Sequence, residues 1–240
     1  MKANTVFNFD AKLKTLFFLA MLYFTINLIG VPMAYKLIAM GPLIGPGGLV
    51  VLPLVFLIED TIVEIYGYKI SRFLLWLILV STIIFSISCV AIIHLPSPNY
   101  WHLEDSYTTV FDPILKSAPA AVIAIFFGRF INIILMTKWK ILLKGRYFWL
   151  RSVFATLIGS SLALSIFFIL SFWGRVPFHV IESLFISDMV VRLSYIIIGG
   201  IPLTFIVNYL KQKLEIDVYD DHLKFNPFSL DTNRNQTSES

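Results

Sequence analysis

The chain has 240 residues, 58% of them hydrophobic and only 14% charged, with a formal net charge of +4. Mean hydropathy is +0.80. Soluble domains carry about a quarter charged residues, so this composition excludes a water-soluble enzyme. The basic residues lie between apolar runs, a pattern that orients membrane helices rather than one that binds nucleic acid.

An apolar run of about 20 residues can cross the hydrocarbon core. Six such runs are legible, at 15–35, 49–66, 73–93, 118–137, 152–173 and 188–210. The first follows Lys2, Lys12 and Lys14, as a signal peptide would. It is too long for a signal h-region and lacks a convincing small-residue cleavage site, so it reads as retained. "GPLIGPGG" (41–48) is a glycine-proline turn region leading into the second run. The loop 95–113 is net acidic and carries Tyr100 and Trp101, residues of the interfacial kind. Lys69 and Arg72 follow the second run; Lys138, Lys140, Lys144, Arg146 and Arg151 follow the fourth; Lys211 and Lys213 follow the sixth. The other three loops hold only Lys36, Lys116 and Arg175. Because Lys and Arg accumulate on the cytoplasmic side, both termini are expected in the cytoplasm.

The expected fold is all-α, a polytopic membrane protein whose residues 1–213 form a bundle of six transmembrane helices. Residues 214–240 turn polar and read as a mostly disordered cytoplasmic tail. Asn235-Gln-Thr matches a glycosylation sequon, which in a cytoplasmic tail is a chance match. Cys89 is the one cysteine, so no intramolecular disulfide forms, and it reads as a small packing residue.

The first, third and fifth runs carry no charged side chain, whereas the second holds Glu59, Asp60 and Glu64, the fourth Arg129, and the sixth Asp188 and Arg192. Charges at membrane depth are costly; they face the bundle interior and pair there. Asp60 and Glu64 are four residues apart and share a helical face, and Glu59 points elsewhere. Asp188 and Arg192 share the same spacing, and Arg129 lies three residues from Asn132. The simplest arrangement sets acids of the second helix against arginines of the fourth and sixth. One reading makes these structural ion pairs; buried pairs, however, are often no more stabilising than apolar replacements. The other reading is a polar solute cavity near the membrane midplane, where transporters commonly bind. Carboxylates, guanidinium forks and abundant aromatics suit a planar heterocycle. They also suit an amino acid or a proton relay.

No Walker phosphate loop, no histidine pair with metal spacing and no Gly-x-Ser-x-Gly elbow occurs. Neither an enzyme nor a cofactor is expected. No nucleophile stands beside a base, which leaves an intramembrane enzyme or a purely structural subunit as the weakest reading.

"GPGGLVVLPLVFLIEDTIVEIYGYKISR" resembles the signature of the queuosine precursor transporter family, also called the VUT family. That pattern is a loop Lys, then Pro, Phe, Asp, Glu, Tyr-Gly and a basic residue, here Lys36, Pro53, Phe56, Asp60, Glu64, Tyr66-Gly67 and Arg72. "GRFINIILMTKWK", "LRSVFATLIGSSLALSIFFILSFWG" and "DMVVRLSYIIIGGIPLTFIVNYLK" extend the resemblance across most of the chain. It implies six helices in a bacterial inner membrane and uptake of a deazapurine such as 7-cyano-7-deazaguanine for tRNA queuosine salvage. The implied partners are that small solute and membrane lipid, with homo-oligomerisation left open. The implied substrate-binding residues are Asp60, Glu64, Arg129, Asn132, Arg192, Asp188 and Lys36. The chain departs from the family pattern in its fifth helix, where "GSSLAL" lacks the usual acid. It departs again at Arg192, where a Lys is usual, and at Arg129, where a neutral polar residue is usual. The alternative is the substrate-binding membrane subunit of a multi-subunit vitamin importer. That role calls for small-residue docking motifs on the first helix, and 15–35 is bulky instead.

Overall fold

The computed structural model describes residues 10–41, 43–174, 176–220 and 225–228. Its elements in chain order are α1 (Ala11–Met33), β1 (Leu37–Met40), β2 (Leu43–Pro46), a short 3-10 turn (Gly47–Val50), α2 (Leu52–Ile93), α3 (Glu104–Leu142), α4 (Phe148–Phe172) and α5 (Phe178–Leu214). All five helices are long and apolar enough to span a membrane. In hydrocarbon a helix is the one open segment that satisfies its own backbone. Accordingly, large apolar side chains such as Phe18, Ile84, Ile198 and Phe205 face outward, while Asp60, Glu64, Asn132 and Arg151 are buried.

Six separate spans were expected and five continuous helices are found. The second and third expected spans are joined in α2, whose 42 residues contain one non-helical residue, Gly67, at φ 82°, ψ −178°. A straight helix of that length measures about 63 Å. Both halves nevertheless touch one turn of α1. Asn27 Nδ2 donates to Thr82 Oγ1 at 3.3 Å, and a Cβ on Gly30 would meet the Leu52 side chain. Residues 52 and 82 can reach the same turn only if α2 folds back at Gly67 into two arms, 52–66 and 68–93. Val55 and Ile62 of one arm and Leu74 and Ile78 of the other pack into one core with Leu19, Ala20 and Tyr23 of α1. Hydropathy marks a break here, because Lys69 and Arg72 separate the second and third runs, but it does not show that the connection is a single glycine rather than a loop.

The acidic stretch expected as loop through residue 113 is helical from Glu104 onward, with Glu104 and Asp105 in the first turn of α3. Acids there complement the helix dipole. The 41–48 turn region is an antiparallel hairpin in which Leu37 pairs with Pro46 and Met40 with Leu43. Its Gly45 lies against Leu49 and Ser187 of α5, so the hairpin covers one end of the bundle. Tyr35 and Ser117 hydrogen-bond at the same end.

The stretch after Leu214, expected to be disordered, is packed across the opposite end wherever it is described. Asp220 Oδ2 accepts from Tyr68 N at 2.7 Å. Arg72 donates to Asn226 O at 3.0 Å and Trp76 Nε1 to Pro227 O at 2.7 Å. Phe225 meets the Tyr68 ring edge-on, and Phe228 lies near Trp76 and Phe126. Composition hid this strap because its holds are a few backbone carbonyls, carboxylates and rings. The sequon at Asn235 and residues 221–224 lie outside the described residues.

Candidate functional site

The first arm of α2 carries the polar residues, and four other helices supply their partners. Nearest the strap, Glu64 accepts two N–H donors from Arg151, at 2.9 and 3.1 Å, and a third from Lys211 at 2.5 Å. Lys140 Nζ donates to the Glu64 carbonyl at 2.6 Å, to Val218 O at 2.8 Å and to Asp217 Oδ1 at 2.5 Å. Asp217 also pairs with Lys211 at 2.9 Å. Partial burial disfavours the Asp217 carboxylate, but the hydrogen bonds and charges of Lys140 and Lys211 outweigh it and hold its carboxyl below the usual range. Three cations thus share two acids at the strap end.

One turn deeper, Asp60 is fully buried. Its Oδ1 accepts from Asn132 Nδ2 at 2.8 Å; its Oδ2 accepts from Ser152 Oγ at 2.5 Å and more loosely from Thr156 at 3.4 Å. No ion pair to Asp60 exists among the described residues. Asn132 reaches it because α3 and α4 touch backbone to backbone. A Cβ on Gly128 would lie 2.6 Å from Gly159 O, and one on Gly159 would lie 2.6 Å from Gly128 O. Small residues permit this approach in membranes.

On the adjacent face Glu59 looks toward α1 and α3. Arg129 Nη1 is 3.9 Å away, while Arg129 Nη2 donates to Asn27 Oδ1 at 2.8 Å. The Arg129 guanidinium lies over the Tyr23 and Phe56 rings, at 5.3 and 5.5 Å. Nearest the hairpin, Arg192 donates to Asp188 Oδ2 through Nε at 2.8 Å and Nη2 at 2.6 Å. It also covers Phe56, at 5.0 Å. A polar ladder therefore runs from strap to hairpin.

The expected pairing holds in part. Asp188 and Arg192 pair within α5, and an acid of α2 meets Arg129, but that acid is Glu59. Arg192 contacts Phe56 of α2 rather than an acid of that helix. Glu64 is met instead by Arg151 and Lys211, which the loop rule reads only as orientation signals. Lys36 is exposed at the start of the hairpin; its carbonyl accepts from Gly47 N at 2.6 Å and its N–H donates to Met33 O at 3.3 Å. Ser152 and Thr156 escaped notice although their four-residue spacing, continued at Ser160, marks a polar stripe on an apolar helix. No group of three or more metal-ligating side chains occurs among the described residues.

Cavities of about 560, 640 and 290 Å³ open at the ends and sides of the bundle. The first lies under the strap, lined by Lys12, Tyr66, Lys69 and Asp217. The second lies beside Phe148 and Trp149, and the third between Phe168 and Phe185. None of these three is lined by Asp60, Asn132 or Arg129. Glu59, Glu64 and Asp188 likewise line none of these three.

Long apolar helices turned outward, with a ladder of buried charge between them, define a multi-pass membrane protein of the transporter kind. The profile of a family described as "Putative vitamin uptake transporter" matches residues 46–207, about two-thirds of the chain, and the chain belongs to that family. No curated protein and no solved structure matches it.

Proposed function

We propose that the chain takes up a queuosine precursor, 7-cyano-7-deazaguanine or a related deazapurine base, across a bacterial inner membrane. In this reading the chain crosses six times, the two arms of α2 counted separately, with the strap and both termini on the cytoplasmic side. The observation that carries the proposal is Asp60: a fully buried carboxylate held by three neutral donors from α3 and α4 and, among the described residues, paired with no cation. Neutral hydroxyl and amide donors exchange for the N–H groups of a solute at little net loss, because the hydrogen bonds are replaced in kind. Asn132 Oδ1 is buried beside it without a hydrogen bond and offers a further acceptor. A guanine-type edge, which presents adjacent N–H donors, fits that pair.

Access alternates in this scheme. The hairpin over Ser187 gates the outer end and the strap over the α2 hinge gates the inner one. Glu64, held by Arg151 and Lys211, anchors the inner half. Asp188 and Arg192 pair at the outer half, where Lys36 lies on the approach.

The test is uptake of labelled 7-cyano-7-deazaguanine by cells unable to make it. Expression of the chain should restore uptake, and Asp60→Asn at equal membrane abundance should reduce it at least about tenfold, since a charged hydrogen bond contributes about 1.5–3 kcal/mol. Uptake that Asp60→Asn leaves unchanged refutes the binding role. Uptake that depends on co-expressed ATPase subunits favours the multi-subunit importer instead.

A further inference from the structure

We propose that Glu59 is the proton-carrying group that couples uptake to the transmembrane proton gradient; the inference rests on the transport reading above and adds its driving force. Among the buried acids Glu59 stands apart. Glu64 is gripped by Arg151 and Lys211, Asp188 by Arg192, and Asp60 by three neutral donors. Glu59 is only 2% exposed, and among the described residues neither carboxylate oxygen makes a hydrogen bond of ordinary length; Tyr23 and Arg129 stand just beyond that reach.

The groups that face it are few. From α1 comes Tyr23, whose buried hydroxyl meets Glu59 and Arg129 only beyond ordinary hydrogen-bond length. From α3 comes Arg129, whose Nη1 is likewise unbonded and stands at 3.9 Å. Asp60 adjoins it on α2. Arg192 of α5 lies across Phe56 but is committed to Asp188, and Arg151, the one charged side chain of α4, is committed to Glu64.

An ionised carboxylate without hydrogen bonds is very costly at this depth, and such a group neutralises instead. Arg129 does not require its charge, because Asn27 and the Tyr23 and Phe56 rings already hold the guanidinium. The 3.9 Å separation leaves room for a proton on Glu59. Once its proton leaves, the carboxylate closes on Arg129 Nη1 to about 2.8 Å, the length of a charge-assisted hydrogen bond. Arg129 lies one turn from Asn132, which holds Asp60. Proton loss at Glu59 therefore pulls on the helix that presents the solute site. The proton enters with the solute, sits on Glu59, and leaves as the proton of water on the other side. No other bond is made or broken.

The experiment uses the full chain in liposomes, with labelled 7-cyano-7-deazaguanine as the probe. With one proton per solute, an interior one pH unit more alkaline supports at most about a tenfold accumulation. Wild type should accumulate the label, and a protonophore should abolish the accumulation. Glu59→Gln, neutral and of the same shape, should still exchange label across the bilayer, which also reports that it folds, but should not accumulate it. Glu59→Asp should retain accumulation. Full accumulation by Glu59→Gln overturns the proposal, as does loss of exchange in that variant, which would mark a binding or structural role. Wild-type accumulation that the protonophore leaves unchanged, or wild-type exchange with no accumulation, overturns the coupling and leaves the transport reading standing. Absence of any wild-type exchange removes the transport reading and the coupling with it.

Discussion

Arg151 holds Glu64 with two N–H donors while both side chains are 1% exposed. Removing one partner of such a pair strands a buried charge, whereas replacing both often changes little. Arg151→Met should therefore lower stability by about 3 kcal/mol, with Lys211 left as the remaining partner of Glu64. Adding Glu64→Leu should recover most of that loss. Thermal unfolding of the single and double variants in detergent measures both. The pair also shows what a sequence conceals at this scale. Glu64 is conspicuous because it interrupts an apolar run, but Arg151 sits among loop lysines, and only the fold turns it inward. Asp60 shows the same: the acid was legible, and its neutral partners on α4 were not.

Gly67 sets the geometry of α2 at the next scale. Its φ of 82° and ψ of −178° belong to a region that is essentially glycine-only. A Cβ there would stand 2.7 Å from both Val218 Cγ1 and Asp220 Oδ2 of the strap. Gly67→Ala should therefore destabilise the protein by about 1–3 kcal/mol from backbone strain and loosen the strap as well. Faster proteolysis of the strap, together with a lower unfolding temperature, is the expected result; an unchanged cleavage rate would mean that hinge and strap are independent. The apolar runs located the helices, but α3 and α5 begin well before the runs at 118 and 188, at Glu104 and Phe178. The break at 67–72 was legible, but its form as a one-residue hinge and the packing of the strap were not, because each depends on one backbone conformation or a handful of long-range hydrogen bonds that leave no periodic trace.

At the scale of the whole molecule, charge asymmetry and structure agree on which residues share an end. Lys140, Lys211, Arg72 and Arg151 converge where α1 begins and α5 ends, and the hairpin occupies the other end. The proposed orientation predicts which end a membrane-impermeant thiol reagent reaches. In a Cys89→Ala background, Asn99→Cys should label in intact cells and Arg146→Cys only after lysis; both native residues are exposed. The opposite pattern inverts the topology. The alternation of clean and charged runs was enough to place one polar seam inside the bundle. It could not apportion partners along that seam, because register between helices is decided by close contacts such as Gly128 against Gly159.

The residues from Asp217 to Phe228 complete the hydrogen bonding of Lys140, Arg72 and Trp76. Shortening the chain just after Leu214 would therefore not trim a dispensable end. It would leave an ammonium buried with little but one carbonyl to hold it. An affinity handle or fluorescent reporter belongs beyond Phe228, separated by a spacer, if the purified protein is to behave as the native one does.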